Sequence, residues 1–99
     1  MIRVVRRGRR DFDVEVAEET APGAQGRVFT YQVRADDAVL DALGLDPDDE
    51  AEVTALVRES FAYLLAREPA GSILRTFDLS VISRYFPSYL DDIRSRLPR

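Results

Sequence analysis

The sequence predicts a single α+β domain over residues 1–99, with an N-terminal antiparallel β-hairpin or small meander followed by three or four helices packed on one face. Two observations support this fold class. Up to residue 34 apolar and polar side chains alternate, and beyond Asp36 the apolar residues recur at the helical spacing of about 3.6. Strands followed by helices in one short chain are typical of α+β domains.

The first third of the chain has the alternation of half-buried strands. Residues 12–16 alternate apolar and acidic side chains, and residues 27–34 alternate again after a turn-rich loop at 19–26. These two segments are predicted to form a hairpin. Ile2 and Val4 continue the alternation of residues 12–16, with apolar side chains at even positions. Either one long strand bends at Gly8 or a short strand turns there.

Two helices are predicted next. A short one covers residues 38–43, is capped by one of the two aspartates before it, and is stopped by Gly44. The main helix has Asp46 as its N-cap and Pro47 in its first position, and it runs to about Arg67.

The apolar side chains of the main helix cover a wide arc, about 200° at 100° per residue. A helix that packs against one partner needs only about 100°. The main helix therefore packs against two partners, which are the sheet and either the C-terminal segment or a second subunit.

The C-terminal segment is predicted to contain two short helices. Asp78 caps the first over residues 79–85, and Phe86 and Pro87 break it. Pro87 then starts a last helix that continues to residue 97.

Missing residue types exclude most catalytic chemistry. The chain has no Cys, His, Trp or Lys, and all 14 basic residues are Arg. Disulfides, thiolate metal sites, Ser-His pairs and Schiff-base lysines are therefore impossible. We predict no enzymatic activity, no catalytic residue, no cofactor and no bound metal. A hydrolase that uses paired carboxylates is the remaining enzymatic alternative, but no spacing singles out a pair.

Charge is distributed unevenly along the chain. Residues 35–57 contain eight acids and no base, whereas residues 1–10 contain five arginines and no acid. Guanidinium groups match phosphate geometry, so these arginines form a candidate anion-binding arm. The alternative is an edge strand protected by charge, or a terminus that pairs with the acidic stretch. The arginines concerned are Arg3, Arg6, Arg7, Arg9 and Arg10.

The net charge of −4 argues against a general nucleic-acid ligand, which needs a positive field. A small nucleic-acid-binding regulator that uses the arginine arm remains an alternative. Residues 79–97 resemble a helix-turn-helix in outline, but the apolar residues of the last helix are spaced as on a buried helix face rather than on a DNA-reading one. Residues 46–50 (DPDDE) could hold a divalent cation, although helix capping explains the same acids.

Four stretches in the second half of the chain share a pattern with other sequences. They are Glu59–Phe61, Leu64–Pro69, Ser72–Leu74 and Phe77–Pro87. In these stretches the chain resembles a group of short, uncharacterised bacterial proteins. The likeness covers about residues 53–90 and implies a bacterial cytosolic protein, but no activity, because none is known for the group. Members often carry an acid after the proline, where this chain has Ser88.

The function predicted from the sequence is a small, non-enzymatic protein-interaction module that self-associates, with a homodimer as the first candidate. The wide apolar arc, the small size of the domain and the complementary charged segments support it. Tyr and Arg are enriched at interaction hot spots, which makes Arg84, Tyr85, Phe86 and Tyr89 a candidate surface. No apolar run is long enough for a membrane span and no signal-peptide core follows the N-terminus, so we expect a cytoplasmic protein without membrane contact.

Overall fold

The computed structural model describes residues 2–17 and 27–97, so the predicted loop at 19–26 lies outside the described residues. The described segments form a mixed sheet with helices against one face, and the predicted α+β class is confirmed. The strands are β1 (Ile2–Arg6), β2 (Asp11–Ala17), β3 (Val28–Arg34) and β4 (Thr76–Asp78). The α-helices are α1 (Asp37–Leu43), α2 (Glu50–Leu65), α3 (Ile82–Tyr85) and α4 (Tyr89–Arg96).

The sheet has the order β1-β2-β3-β4. The first three strands form an antiparallel meander, in which Val14 lies opposite Val4 on one side and Tyr31 on the other. Strand β4 is parallel to the end of β3. The chain turns at Gly8 rather than continuing as one bent strand, and the amide of Arg7 donates to the carbonyl of Asp11 at 2.8 Å.

One face of the sheet carries the core. Phe12 and Val14 in β2 and Tyr31 and Val33 in β3 are buried, whereas alternate residues such as Gln32 are exposed. This is the pattern expected of an antiparallel sheet with one solvated face. The helices therefore pack on a single side, as the alternation predicts.

Helix α1 ends through the backbone freedom of Gly44. Gly44 has φ 68°, in the left-handed region that glycine adopts without steric cost and other residues do not. The amide of Leu45 donates to the carbonyl of Leu40 at 2.9 Å and so closes the end of the helix. Asp36 occupies the N-cap position, but its carboxylate makes no capping bond. It accepts instead from the amide of Ser80 at 3.0 Å, which ties the start of α1 to the C-terminal segment.

The predicted start of the main helix is wrong by about one turn. Helix α2 begins at Glu50, and Asp49 rather than Asp46 is its N-cap, accepting from the amide of Glu52 at 3.1 Å. Asp46 accepts from the amide of Asp48 at 2.9 Å and so closes a separate turn around Pro47. Asp and Pro favour turns as strongly as they favour helix starts, and the turn prevails here.

Helix α2 is buried from two sides within one chain. The ring of Phe61 lies 5.0 Å from that of Tyr31 and 6.0 Å from that of Phe77, both in the sheet. On the other side, Tyr63 stands edge-on to Tyr89 in α4 at 5.6 Å. The wide apolar arc is therefore covered by the sheet and the C-terminal segment, and it needs no second subunit.

The C-terminal segment follows the predicted order with two differences. A 3-10 turn covers Leu79–Val81 before α3, and the carboxylate of Asp78 makes no capping bond. The last helix begins at Tyr89 rather than at Pro87. Strand β4 was not predicted, because three residues are too few to show alternation.

We expect Phe61→Ala to destabilise the protein by about 3–5 kcal/mol, because it leaves a cavity between the sheet and α2. Arg58→Ala, at an exposed position on the same helix, is the control and is expected to change stability by no more than about 0.5 kcal/mol. Urea unfolding followed by circular dichroism measures both. Equal midpoints for the two variants would contradict the packing of α2 against the sheet.

Candidate protein-interaction groove

The structure separates the four residues predicted as an interaction surface. Arg84 and Tyr85 are exposed at the end of α3, and Phe86 is half-buried beside them. Tyr89 is fully buried, with no exposed surface. Tyr89 therefore does not belong to any surface in this fold, because its ring fills the space between α2 and α4.

Tyr89 instead belongs to a buried polar network between α2 and α4. Its hydroxyl lies 2.6 Å from the Oγ of Ser60, which also donates to the carbonyl of Leu56 at 2.7 Å. Next to it, the hydroxyl of Tyr63 donates to the carboxylate of Asp92 at 3.0 Å. Burial raises the pKa of Tyr89 above its ordinary value, and the nearby Asp36 and Tyr63 add to the rise, while the bond to Ser60 opposes it. The network serves to join the two helices.

An apolar groove of about 340 Å³ lies beside the exposed residues of α3. The end of α2 and the segment that follows it supply one part of its lining, and residues 81–86 supply another. The buried residues of this lining, which we call the groove floor, are Leu64, Ile73, Phe77 and Ile82. The more exposed ones, which we call the groove rim, are Glu68, Ser72, Leu74, Val81, Tyr85 and Phe86.

The groove rim holds most of the large apolar surface that the described residues expose. Three large hydrophobic side chains are exposed in residues 2–17 and 27–97. Two of them line the groove: Leu74, which is 50% exposed, and Tyr85, which is 68% exposed. The third, Val28, lies outside it. Sequence reasoning singled out Tyr85 and missed Leu74, because position in an apolar stretch does not show which side chains the fold leaves uncovered.

Glu68 in the groove lining and Arg84 beside that lining in the chain form no ion pair in the described residues. Glu68 belongs to the rim, and Arg84 immediately precedes Tyr85. A third charged residue, Arg75, follows Leu74, but its guanidinium stacks on the rings of Phe29 at 5.0 Å and Tyr31 at 5.6 Å. Among the residues that line the groove, Glu68 is therefore the one charged side chain.

Four of the five arginines of the candidate anion-binding arm form ion pairs with carboxylates of the same chain, and Arg3, exposed in β1, forms none in the described residues. Arg7 binds Asp13 within the first hairpin at 2.7 Å. Three further pairs join the end of β1 and the turn after it to the acidic stretch around α1 and the start of α2. They are Arg6 with Glu50 at 3.4 Å, Arg9 with Asp48 at 2.8 Å and Arg10 with Asp37 at 2.7 Å.

These pairs join the two oppositely charged segments of the sequence within one chain. Each pair is at least partly exposed to solvent, so its contribution to stability is small. The ion pairs also oppose the binding of an anion, because a phosphate would have to compete with the carboxylate already present at each guanidinium.

The acidic run at residues 46–50 does not gather around a common point for a cation. Asp46 closes a turn and Asp49 caps α2, while Asp48 and Glu50 bind arginines. Within residues 2–17 and 27–97, no group of three or more acidic side chains is arranged to hold a metal ion.

Comparisons of the chain with protein-family models, with curated protein sequences and with solved structures found no significant match. Among the described residues, no helix combines the length and the apolar composition that crossing a bilayer requires.

We expect Tyr89→Phe to lower stability at neutral pH by about 0.5–1.5 kcal/mol, because it removes a buried hydrogen bond to Ser60. The raised pKa adds a pH dependence. In the unfolded chain the phenol ionises near its ordinary pKa of 10.0, while the folded state keeps it neutral. Wild-type stability therefore falls as pH rises above this value.

The measurement is the free energy of unfolding in urea between pH 8 and 11. The loss above pH 10 should be smaller in Tyr89→Phe than in the wild type. Identical pH slopes would show that this phenol is not buried as described.

We expect the arginines of the turn to become available when their acids are neutralised. The triple variant D37N/D48N/E50Q removes the partners of Arg6, Arg9 and Arg10, and it should elute from a heparin column at higher salt than the wild type. The control is E68Q/D41N/D78N, which changes the net charge equally at acids without an ion pair in the described chain and avoids Glu15, the cross-strand neighbour of Arg3. Equal elution of the two variants would contradict the blocking role of the ion pairs.

Proposed function

We propose that this chain is a small, cytosolic, non-enzymatic protein-interaction module that self-associates, and that the groove beside α3 is its contact surface. The observation that carries the proposal is the exposure of Leu74 and Tyr85 around a buried apolar floor. Exposed apolar side chains that gather at the edge of a groove are the kind of surface at which proteins associate.

The composition of the groove supports a protein partner. Its floor is aliphatic and aromatic, and its rim contains an exposed tyrosine, the kind of residue that dominates binding energy at interfaces. A volume of about 340 Å³ is near the lower end of the roughly 300–1,000 Å³ of small-molecule pockets. It suits one or two inserted side chains.

The chemistry of the chain supports a non-enzymatic role. The groove rim has one acid, Glu68, so it offers no pair of carboxylates. The hydroxyls of Ser60 and Tyr89 lie within hydrogen-bond distance of each other, but both residues are buried and out of reach of a substrate. Cytosolic residence in a bacterium follows from the resemblance of residues 53–90 to short bacterial proteins, and it remains a prediction.

The alternative of a nucleic-acid-binding regulator receives less support. It depends on the arginine arm, and Arg6, Arg7, Arg9 and Arg10 each have a carboxylate partner in the same chain. Nucleic acid would have to displace several of these carboxylates while facing an overall charge of −4.

We expect the wild-type protein to show a mass above one chain at micromolar concentration, with the mass falling on tenfold dilution. Light scattering coupled to a sizing column measures it. Leu74→Asp places a charge at the groove rim and should shift the protein to the mass of one chain, because an unpaired carboxylate is costly to bury in an interface.

The matched control is Val28→Asp, which introduces the same charge at a similarly exposed apolar residue outside the groove, and it should leave the mass unchanged. A wild-type mass of one chain at every concentration would overturn the proposal. Equal effects of the two substitutions would remove the groove from it.

A further inference from the structure

We infer that the outer edge of β1 binds an extended segment of another protein as an added strand of the sheet, and that this segment alternates apolar with acidic residues. The surface lies at the edge of the sheet opposite β4, whose Phe77 belongs to the groove floor. The inference therefore goes beyond the groove and does not depend on self-association.

The backbone of β1 is paired on one side. The amide of Arg7 donates to the carbonyl of Asp11 at 2.8 Å, so in the same register the odd-numbered residues of β1 direct their backbone groups to β2. The even-numbered residues Ile2, Val4 and Arg6 direct theirs away from the sheet. In the part of the chain that the structure describes, no strand pairs with that side. A row of unpaired N–H and C=O groups is a template for one more strand.

The core-facing side chains of β1 are incompletely covered. Ile2 and Val4 pack against the core but are only half-buried. Their cross-strand neighbours Val16 and Val14 are 3% and 0% exposed. The helices therefore leave apolar surface at this edge, and an added strand with apolar side chains in the same phase would bury it.

The other face of β1 favours acids. Arg3 is exposed there and forms no ion pair in the described residues. Arg7, which follows the strand, binds Asp13 of β2 at 2.7 Å and shows that an arginine of this segment reaches an acid on the next strand. An acid on an added strand beside Arg3 would be attracted in the same way.

Strand β2 shows which alternation fits β1. It pairs antiparallel with β1 and reads DFDVEVA, with buried apolar residues on the core face and acids on the solvent face. Residues opposite each other on neighbouring strands share a face. A segment of this alternation on the outer side would place apolar side chains beside Ile2 and Val4 and acids beside Arg3.

The charges disfavour a second copy of β1 in this position. A twofold axis that pairs Val4 of the two copies would bring Arg3 of one copy diagonally beside Arg3 of the other, and like charges that close are destabilising. Residues 1–10 contain five arginines and no acid, so other registers meet the same repulsion. Charged side chains on an edge strand are a known means of preventing copies from pairing.

A capped peptide with the sequence of residues 11–17 is the probe for this edge. It is titrated into the isotope-labelled protein while the amide chemical shifts are followed by NMR. We expect saturable changes centred on residues 2–6. A control peptide in which the three acids are replaced by lysine should bind at least about tenfold more weakly. No change at residues 2–6 up to about 1 mM peptide, or equal binding of the two peptides, would overturn the inference.

A proline tests the backbone contact. Val4→Pro removes an outward N–H and leaves the ladder to β2 intact, and an edge strand tolerates proline where its N–H faces solvent. We expect it to weaken binding of the acidic peptide at least about tenfold, since β-augmentation depends on main-chain hydrogen bonds. Val4→Ala keeps the N–H and should stay within about threefold of the wild type. Circular dichroism checks that both variants are folded.

A charge reversal tests the partner's chemistry without altering the backbone. Arg3→Glu should weaken the acidic peptide about fivefold and strengthen the lysine peptide, because attraction and repulsion exchange places. Arg58→Glu makes the same change of charge at an exposed position on α2 and should leave the preference between the peptides as in the wild type.

The remaining outcomes are also decisive. Binding that is unaffected by Val4→Pro and by Arg3→Glu overturns the inference, and so do shift changes centred on the groove. Light scattering that shows a dimer converted to single chains by Val4→Pro would assign the edge to a second copy and overturn the acidic partner. A protein that remains a single chain and binds the acidic peptide at β1 supports this inference while overturning the proposed self-association.

Discussion

Helix α2 is the element on which the rest of this structure depends, because it is buried from two sides. Phe61 packs against the rings of Tyr31 and Phe77, and Tyr63 against that of Tyr89. A domain of 99 residues has little interior, so one helix that contacts both the sheet and the C-terminal segment gives each of them a common core. The buried bond between Ser60 and Tyr89 fixes the second contact in register.

The groove follows from the way the chain leaves this helix. Beyond Leu65 the chain must return to the sheet edge to form β4, and it then continues into the short helix α3. The end of α2, the returning segment and α3 surround a space that none of them fills, with Leu64 and Phe77 at its floor. Leu74 and Tyr85 remain exposed for the same reason: the helices that could cover them are already packed elsewhere.

The electrostatics of the chain serve mainly its own fold. The basic start and the acidic middle of the sequence meet in the ion pairs of Arg6, Arg9 and Arg10, beside the first turns of α1 and α2. Among the residues that line the groove, Glu68 is the one charged side chain. Apolar contact is therefore the main source of affinity in the proposed association.

The sequence by itself determined the fold class, the alternating strands β2 and β3, the stop at Gly44 and the need of the main helix for two partners, because periodicity and glycine conformation are local properties. It left the second partner open between the C-terminal segment and a second subunit, and the contact of Tyr63 with Tyr89 decides for the former. It misplaced the start of α2, where Asp46 closes a turn and Asp49 caps the helix, since both positions satisfy the same capping chemistry. It also missed β4, which forms only because β3 offers an edge. Only the tertiary structure decided that Tyr89 is buried and Tyr85 exposed, because two tyrosines four residues apart look alike until the packing of neighbouring helices covers one and leaves the other in solvent.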